Sequence, residues 1–201
     1  MKIIFLDIDG VLNSDNHRQE MYELLKAKKI SERKYYETWD LPYKETLLAL
    51  KKIIDETGAR IVLSSSWRLL GKRRINMLNN LFKPYGFQIM DVTPHGVMLE
   101  DLEKLGFDKD KCYDAKYRHV IDDDVEDDIA SAYKIKTWDR GAEIAMWLSQ
   151  HQDVESFVIL DDDWLDIEPY YKDEHVQTLF YDWGLTLDLA EKAINILNKR
   201  V

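Results

Sequence analysis

Short apolar runs punctuate an otherwise polar chain, at Lys2–Leu6, Arg60–Leu63, 87–90, 157–160 and 176–180, each bounded by polar or turn residues. Runs of that length read as buried strands. Between them the apolar positions switch to helical spacing. In 43–56 the residues Leu47, Leu48, Leu50, Ile53 and Ile54 fall on one side, and 69–82, 142–150 and 187–197 follow the same rule. Strands that alternate with helices predict an α/β fold, a parallel sheet with helices on both faces. The linker between the fourth and fifth strands carries no helical pattern.

Two segments break this rhythm and read as insertions in a single domain spanning 1–201. The first, 14–40, is rich in Lys, Glu and Tyr and predicts one or two amphipathic helices directly after the first strand. The second, 95–139, is acidic, separates the third strand from the helix leading to the fourth, and carries a helical pattern of its own at 124–133. No repeat or low-complexity linker is visible.

In a parallel α/β sheet, ligands bind beyond the carboxyl ends of the strands. The residues there are Asp7 and Asp9 after the first strand, Ser64, Ser65 and Ser66 after the second, and Asp161, Asp162 and Asp163 after the fourth. Carboxylates meeting from two strand ends repel one another unless a cation lies between them, and an all-oxygen donor set selects a hard ion such as Mg²⁺. Two acidic runs compete for that role, 120–129 and 158–167. Only the second follows a strand of convincing length. Asp161 and Asp162 are therefore the expected ligands, with Asp166 as a supporting ligand or helix cap. The first run reads as a solvated loop or helix start, where the helix dipole favours Asp.

Composition narrows the classes. With 45% apolar and 33% charged residues, a 201-residue chain can bury a substantial core. No stretch is long and apolar enough to span a bilayer, and the first apolar run meets Asp7 too soon for a signal-peptide core, so a cytoplasmic location is expected. The single cysteine, Cys112, reads as an ordinary thiol in a reducing compartment. A net charge of −10 argues against nonspecific coating of nucleic acid. Locally, however, 60–74 (RIVLSSSWRLLGKRR) holds five basic residues and no acidic one. A basic patch on an acidic protein points to a localised anionic ligand.

These motifs carry a resemblance. FLDIDGVLN, IVLSSS and VILDDD resemble the successive motifs of the haloacid dehalogenase-like (HAD) superfamily, whose members are mostly Mg²⁺-dependent phosphatases. SSSWR, RGAEIAMWL, VILDDD and a late GLT opening a helix are similar to the HAD domain of Swiss Army Knife RNA repair proteins, over most of the chain except the insertions. Four motifs in order, each in its expected context, make a specific signal.

The resemblance implies a Rossmann-like HAD fold in which Asp7 attacks phosphorus and forms an aspartyl-phosphate, splitting hydrolysis into two easier steps. Asp9 would protonate the leaving oxygen and later deprotonate water, and Gly10 would permit the turn that aims it. Mg²⁺ would be held by the Asp7 carboxylate, the Asp9 backbone carbonyl and an aspartate of the DDD run, Asp161 or Asp162. Ser65 fits the phosphoryl-binding position best and Ser64 next, while Ser66 is expected to cap the following helix. Arg68, with Lys72, Arg73 and Arg74, would contact substrate phosphates, the last three reading equally well as a solvated helix face. Arg140 matches the third-motif cation, a guanidinium that can hold phosphate oxygens bidentately or, alternatively, cap its helix start. Glu143 is expected to be structural, Trp39, Trp138 and Trp147 to be packing residues, and His95 to stay out of the chemistry.

Segments inserted at 14–40 and 95–139 occupy the places where the superfamily carries caps. The implied activity is removal of a terminal phosphate from an RNA or DNA end. The alternatives are a mononucleotide or other small phosphate ester, which an acidic cap would favour, and a noncatalytic binding module. C–halogen hydrolysis fits less well, because it has no use for the acid Asp9. No GxxxxGK[ST] loop is present and no kinase or ligase domain is recognisable in the chain.

Overall fold

The computed structural model describes residues 1–116, 132 and 135–199. In chain order its elements are β1 (Lys2–Leu6), α1 (Asp15–Lys26), α2 (Glu32–Thr38), α3 (Lys44–Thr57), β2 (Arg60–Leu63), a 3₁₀ turn (Ser66–Leu70), α4 (Lys72–Phe82) and β3 (Ile89–Val92). They continue with β4 (Val97–Met98), α5 (Leu99–Lys104), β5 (Lys136–Thr137), α6 (Arg140–Ser149), β6 (Ser156–Asp161), α7 (Glu168–Tyr171), β7 (His175–Gln177) and α8 (Leu187–Asn198). The chain divides into two compact units. One comprises Met1–Val92, Glu155–Asp162 and Val176–Val201, the other Thr93–Val154 and Asp163–His175.

The first unit is built on a five-stranded sheet of order β3-β2-β1-β6-β7. β1 sits between two parallel neighbours, and a strand so placed must be apolar on both faces. Ile3, Ile4, Phe5 and Leu6 are accordingly all buried. The register aligns Leu6 with Leu63 of β2 and with Leu160 of β6. The residues that follow, Asp7, Ser64 and Asp161, therefore emerge at one level of one sheet edge. The Asp7 N–H donates to the Leu160 carbonyl and the Ser64 N–H to the Leu6 carbonyl, each at 2.9 Å.

Helix α3 buries Leu47, Leu50 and Ile53 and turns Leu48 outward. It ends at Gly58, whose φ of +68° supplies the left-handed cap. α8 packs against α3 and starts at Thr186, whose side chain accepts the Leu189 N–H. Replacing the fully buried Phe82 by Ala would cost about 3–5 kcal/mol. Insertion 14–40 belongs to this unit, as α1 and α2.

Three details depart from the periodicity. β3 lies two residues beyond 87–90, because Phe87 packs its ring on Phe82, 5.1 Å between centroids, instead of joining the sheet. β7 is shorter than 176–180. The linker expected to lack a helix contains α7.

The second unit has a small core of Val97, Leu102, Cys112 and Ala142, packed by Phe107, Met146 and Tyr170. β4 and β5 pair antiparallel, Val97 with Thr137 and Met98 with Lys136. Gly141 lets α7 come close to α6, since a Cβ there would lie 2.2 Å from the Tyr170 ring. The acidic run 120–129 lies outside the described residues, as does the helical pattern read at 124–133 apart from residue 132. Among the described residues, no helix is long and apolar enough to cross a membrane.

Candidate active site

Three strand ends build the site. Asp7 follows β1, Asp161 closes β6 and Asp162 comes next, and one carboxylate oxygen from each lies within 4.8 Å of the others. Asp7 and Asp161 are buried and Asp162 is partly buried. Like charges held this close in a desolvated place disfavour one another's ionisation. A hard divalent cation resolves that conflict, and an all-oxygen donor set fits Mg²⁺. The backbone supports the arrangement: the Asp161 carbonyl accepts the Thr178 N–H at 3.0 Å, and the Asp162 carbonyl accepts from the Gln177 amide at 3.2 Å.

Gly10 is required by contact as well as conformation. Its φ is +74°, and a Cβ would lie 2.4 Å from Asp162 Cγ and 2.7 Å from Asp162 Cβ. A larger residue would displace one of the three carboxylates. The Gly10 N–H donates to Asn13 Oδ1 at 3.2 Å, closing the turn.

Asp9 is engaged differently. Its Oδ2 accepts the indole N–H of Trp67 at 2.7 Å, and its Oδ1 accepts from the Asn13 amide at 2.9 Å and the Arg18 guanidinium at 3.5 Å. Its side chain is thus held apart from the three-carboxylate cluster, whereas the resemblance asks only its backbone carbonyl to serve a metal.

Ser64 and Ser65 are buried beyond β2. Ser65, and not Ser66, caps the 3₁₀ turn: it has the extended backbone of an N-cap, and its Oγ accepts the Trp67 N–H at 3.3 Å. Ser66 is exposed. Arg68 donates to the Ser65 carbonyl at 2.7 Å. Arg74 lies 4.3 Å over the Trp67 ring and 3.9 Å from Asp40, while Lys72 and Arg73 face solvent.

Arg140 belongs to the second unit, where it opens α6 and its backbone N–H donates to Asp166 Oδ2 at 2.9 Å. Asp166 also accepts the Gly141 N–H through its carbonyl, so it caps that helix. Asp163, in the same unit, accepts the Leu165 N–H at 3.0 Å. Glu143 is buried, accepts the Gly96 N–H at 2.8 Å and lies 3.5 Å from His95. Trp147 is buried, whereas Trp39 is 36% exposed and stacks on Arg18.

The second unit has buried carboxylates too. Asp139 accepts the N–H groups of Tyr113 and Asp114 at 2.7 and 3.1 Å and the Tyr170 hydroxyl at 3.0 Å. Burial, then the Asp114 charge, pushes Asp139 up to about 6. Asp114 accepts the Thr137 hydroxyl and the Trp138 N–H. Burial likewise raises Asp166.

Sequence reasoning assigned no role to Asn13, Arg18 or Trp67. Trp67 stood inside the SSSWR motif and Asn13 at the end of FLDIDGVLN, so a signal was present for both. Arg18 had none beyond being the first cation of the insertion.

A family model described as the HAD domain in Swiss Army Knife RNA repair proteins matches residues 3–190. Searches of curated proteins and of solved structures return no match. The chain belongs to this family of HAD domains, within the haloacid dehalogenase-like superfamily of hydrolases and phosphatases.

Proposed function

We propose that the chain is a Mg²⁺-dependent phosphomonoester hydrolase working through an aspartyl-phosphate on Asp7. The observation that carries this reading is the convergence of Asp7, Asp161 and Asp162, with oxygens within 4.8 Å, on the sheet edge that also bears Ser64 and Ser65.

Asp7, Asp161 and Asp162, with the Asp9 backbone carbonyl, would hold the ion. When bound, Mg²⁺ supplies the positive charge that lets an anionic nucleophile approach an anionic phosphate. In the first half-reaction an Asp7 oxygen bonds to phosphorus while the ester P–O bond breaks, and Asp9 delivers a proton to the departing alkoxide. In the second, Asp9 takes a proton from water as that oxygen attacks phosphorus, the Asp7–phosphorus bond breaks, and inorganic phosphate leaves. Ser65, with Ser64, donates to phosphoryl oxygens, and Arg68 offsets their charge.

For substrate, a family description that names RNA repair favours a terminal phosphate on a nucleic acid, and the exposed Lys72 and Arg73, which follow the Ser64–Ser65 strand end in the chain, suit a polyanion. The place of 95–139 after the third strand supports a substrate-selecting cap. The test is phosphate release with Mg²⁺ from 3′- and 5′-phosphorylated oligonucleotides, mononucleotides and an aryl phosphate. Preference for oligonucleotides by tenfold or more in kcat/KM is expected. A preference for mononucleotides moves the assignment to small esters, and inactivity on the whole panel refutes it.

A further inference from the structure

We infer that Trp67 and Arg18 are positioning residues for Asp9, a clamp that fixes its carboxylate from two sides of the site. This rests on the phosphatase reading above.

An aspartate that must first give a proton and then take one needs a fixed direction, and a side chain with two free torsions does not hold one unaided. Here each oxygen has its own donor. The Trp67 indole reaches Oδ2 at 2.7 Å, and Asn13 and Arg18 share Oδ1. The donors are themselves braced. The Trp67 ring is 5% exposed, beneath the Arg74 guanidinium at 4.3 Å, with Arg74 leaning on Asp40. The Arg18 guanidinium lies over the rings of Trp39 and Phe180, at 5.1 and 4.9 Å, and 3.9 Å from Asp15. The Asn13 amide also donates to the Asp40 carbonyl at 2.7 Å. A cation in contact with two aromatic rings gains from both quadrupoles and loses freedom to swing away. Insertion 14–40 thereby acquires a task within its own unit: it supplies Arg18, Trp39 and Asp40 to the shell around Asp9.

The test uses two esters of unequal leaving group and one signal read without turnover. An alkyl phosphate needs a proton on its leaving oxygen, whereas p-nitrophenolate departs without one. Trp67→Phe keeps an aromatic side chain but deletes the indole N–H together with the five-membered ring that carries it. Arg18→Met keeps an apolar contact with both rings without charge, at a partly exposed position, so it guards against misfolding of the first variant. Each should lower kcat on the alkyl ester by about tenfold or more and on the aryl ester by less than about threefold, with KM little changed. In ¹⁵N-indole-labelled protein, the Trp67 cross-peak should move in Asp9→Asn. Equal losses on both esters would make the pair structural only and overturn the inference. So would a Trp67 signal indifferent to Asp9→Asn. Wild-type inactivity on both esters would instead refute the phosphatase reading, while the indole signal still reports whether the contact forms.

Discussion

Both units of this protein bury carboxylates beside other carboxylates, yet the two groups face different things. In the second unit Asp114, Asp139 and Asp166 each aim an oxygen at backbone N–H groups, so their charges are spent stapling the chain to itself. In the first unit Asp7, Asp161 and Asp162 bring their oxygens to within 4.8 Å of one another at the ends of adjacent strands. Burial of an acid is therefore a poor guide to function. What the oxygens face is a better one, because N–H groups satisfy a carboxylate locally whereas a second carboxylate calls for a cation.

The largest effect that separates the groups is on turnover. Asp7→Asn removes the proposed nucleophile and should lower phosphate release by at least ~10³-fold. Asp114→Asn should leave it within about threefold, because its two donors, the Thr137 hydroxyl and the Trp138 N–H, share one oxygen that an amide still presents. Metal binding separates them next. Mg²⁺ at a hundred times its dissociation constant should stabilise the wild type by about 2.7 kcal/mol, and chelation should abolish turnover until Mg²⁺ is restored. Asp161→Asn should erase that stabilisation and Asp114→Asn should not. A smaller effect is expected at Gly10. Gly10→Ala forces a Cβ against Asp162 at a positive φ and should cost about 1–3 kcal/mol while weakening Mg²⁺ binding.

The smallest effect is on pH dependence, and it belongs to the second unit. Burial and the Asp114 charge raise Asp139 from 3.8 to about 6, so between those values the folded form holds more proton than the unfolded chain. Its contribution to stability is full at the acid end of the window and declines as pH rises through it. Amide protection of α6 should show this decline in the wild type and less of it in Asp139→Asn. A decline of equal size in both would assign it to other groups.

Much of the first unit was legible because its signals are local. Lys2–Leu6 and Arg60–Leu63 have the bounds their apolar runs suggested, since a strand buried on both faces must be continuously apolar. Asp7, Asp161 and Asp162 could be proposed together because parallel strands end at a common edge. The clamp on Asp9 could not be read this way. Its donors lie four, nine and 58 residues away, and only folding brings them to one carboxylate. The serine cap was misplaced by one residue for a related reason: the backbone at Ser65 is already extended, and nothing in three consecutive serines marks where the turn begins.

The most direct test of the central claim, that Asp7 is the nucleophile of a metal-dependent phosphatase, is rapid acid quench of a single turnover with Mg²⁺, followed by mass mapping of the N-terminal peptide. One phosphoryl group on Asp7, absent without Mg²⁺ and absent in Asp7→Asn, is the expected result. Phosphate release that proceeds without phosphorylated Asp7, or that survives in Asp7→Asn, would contradict the account.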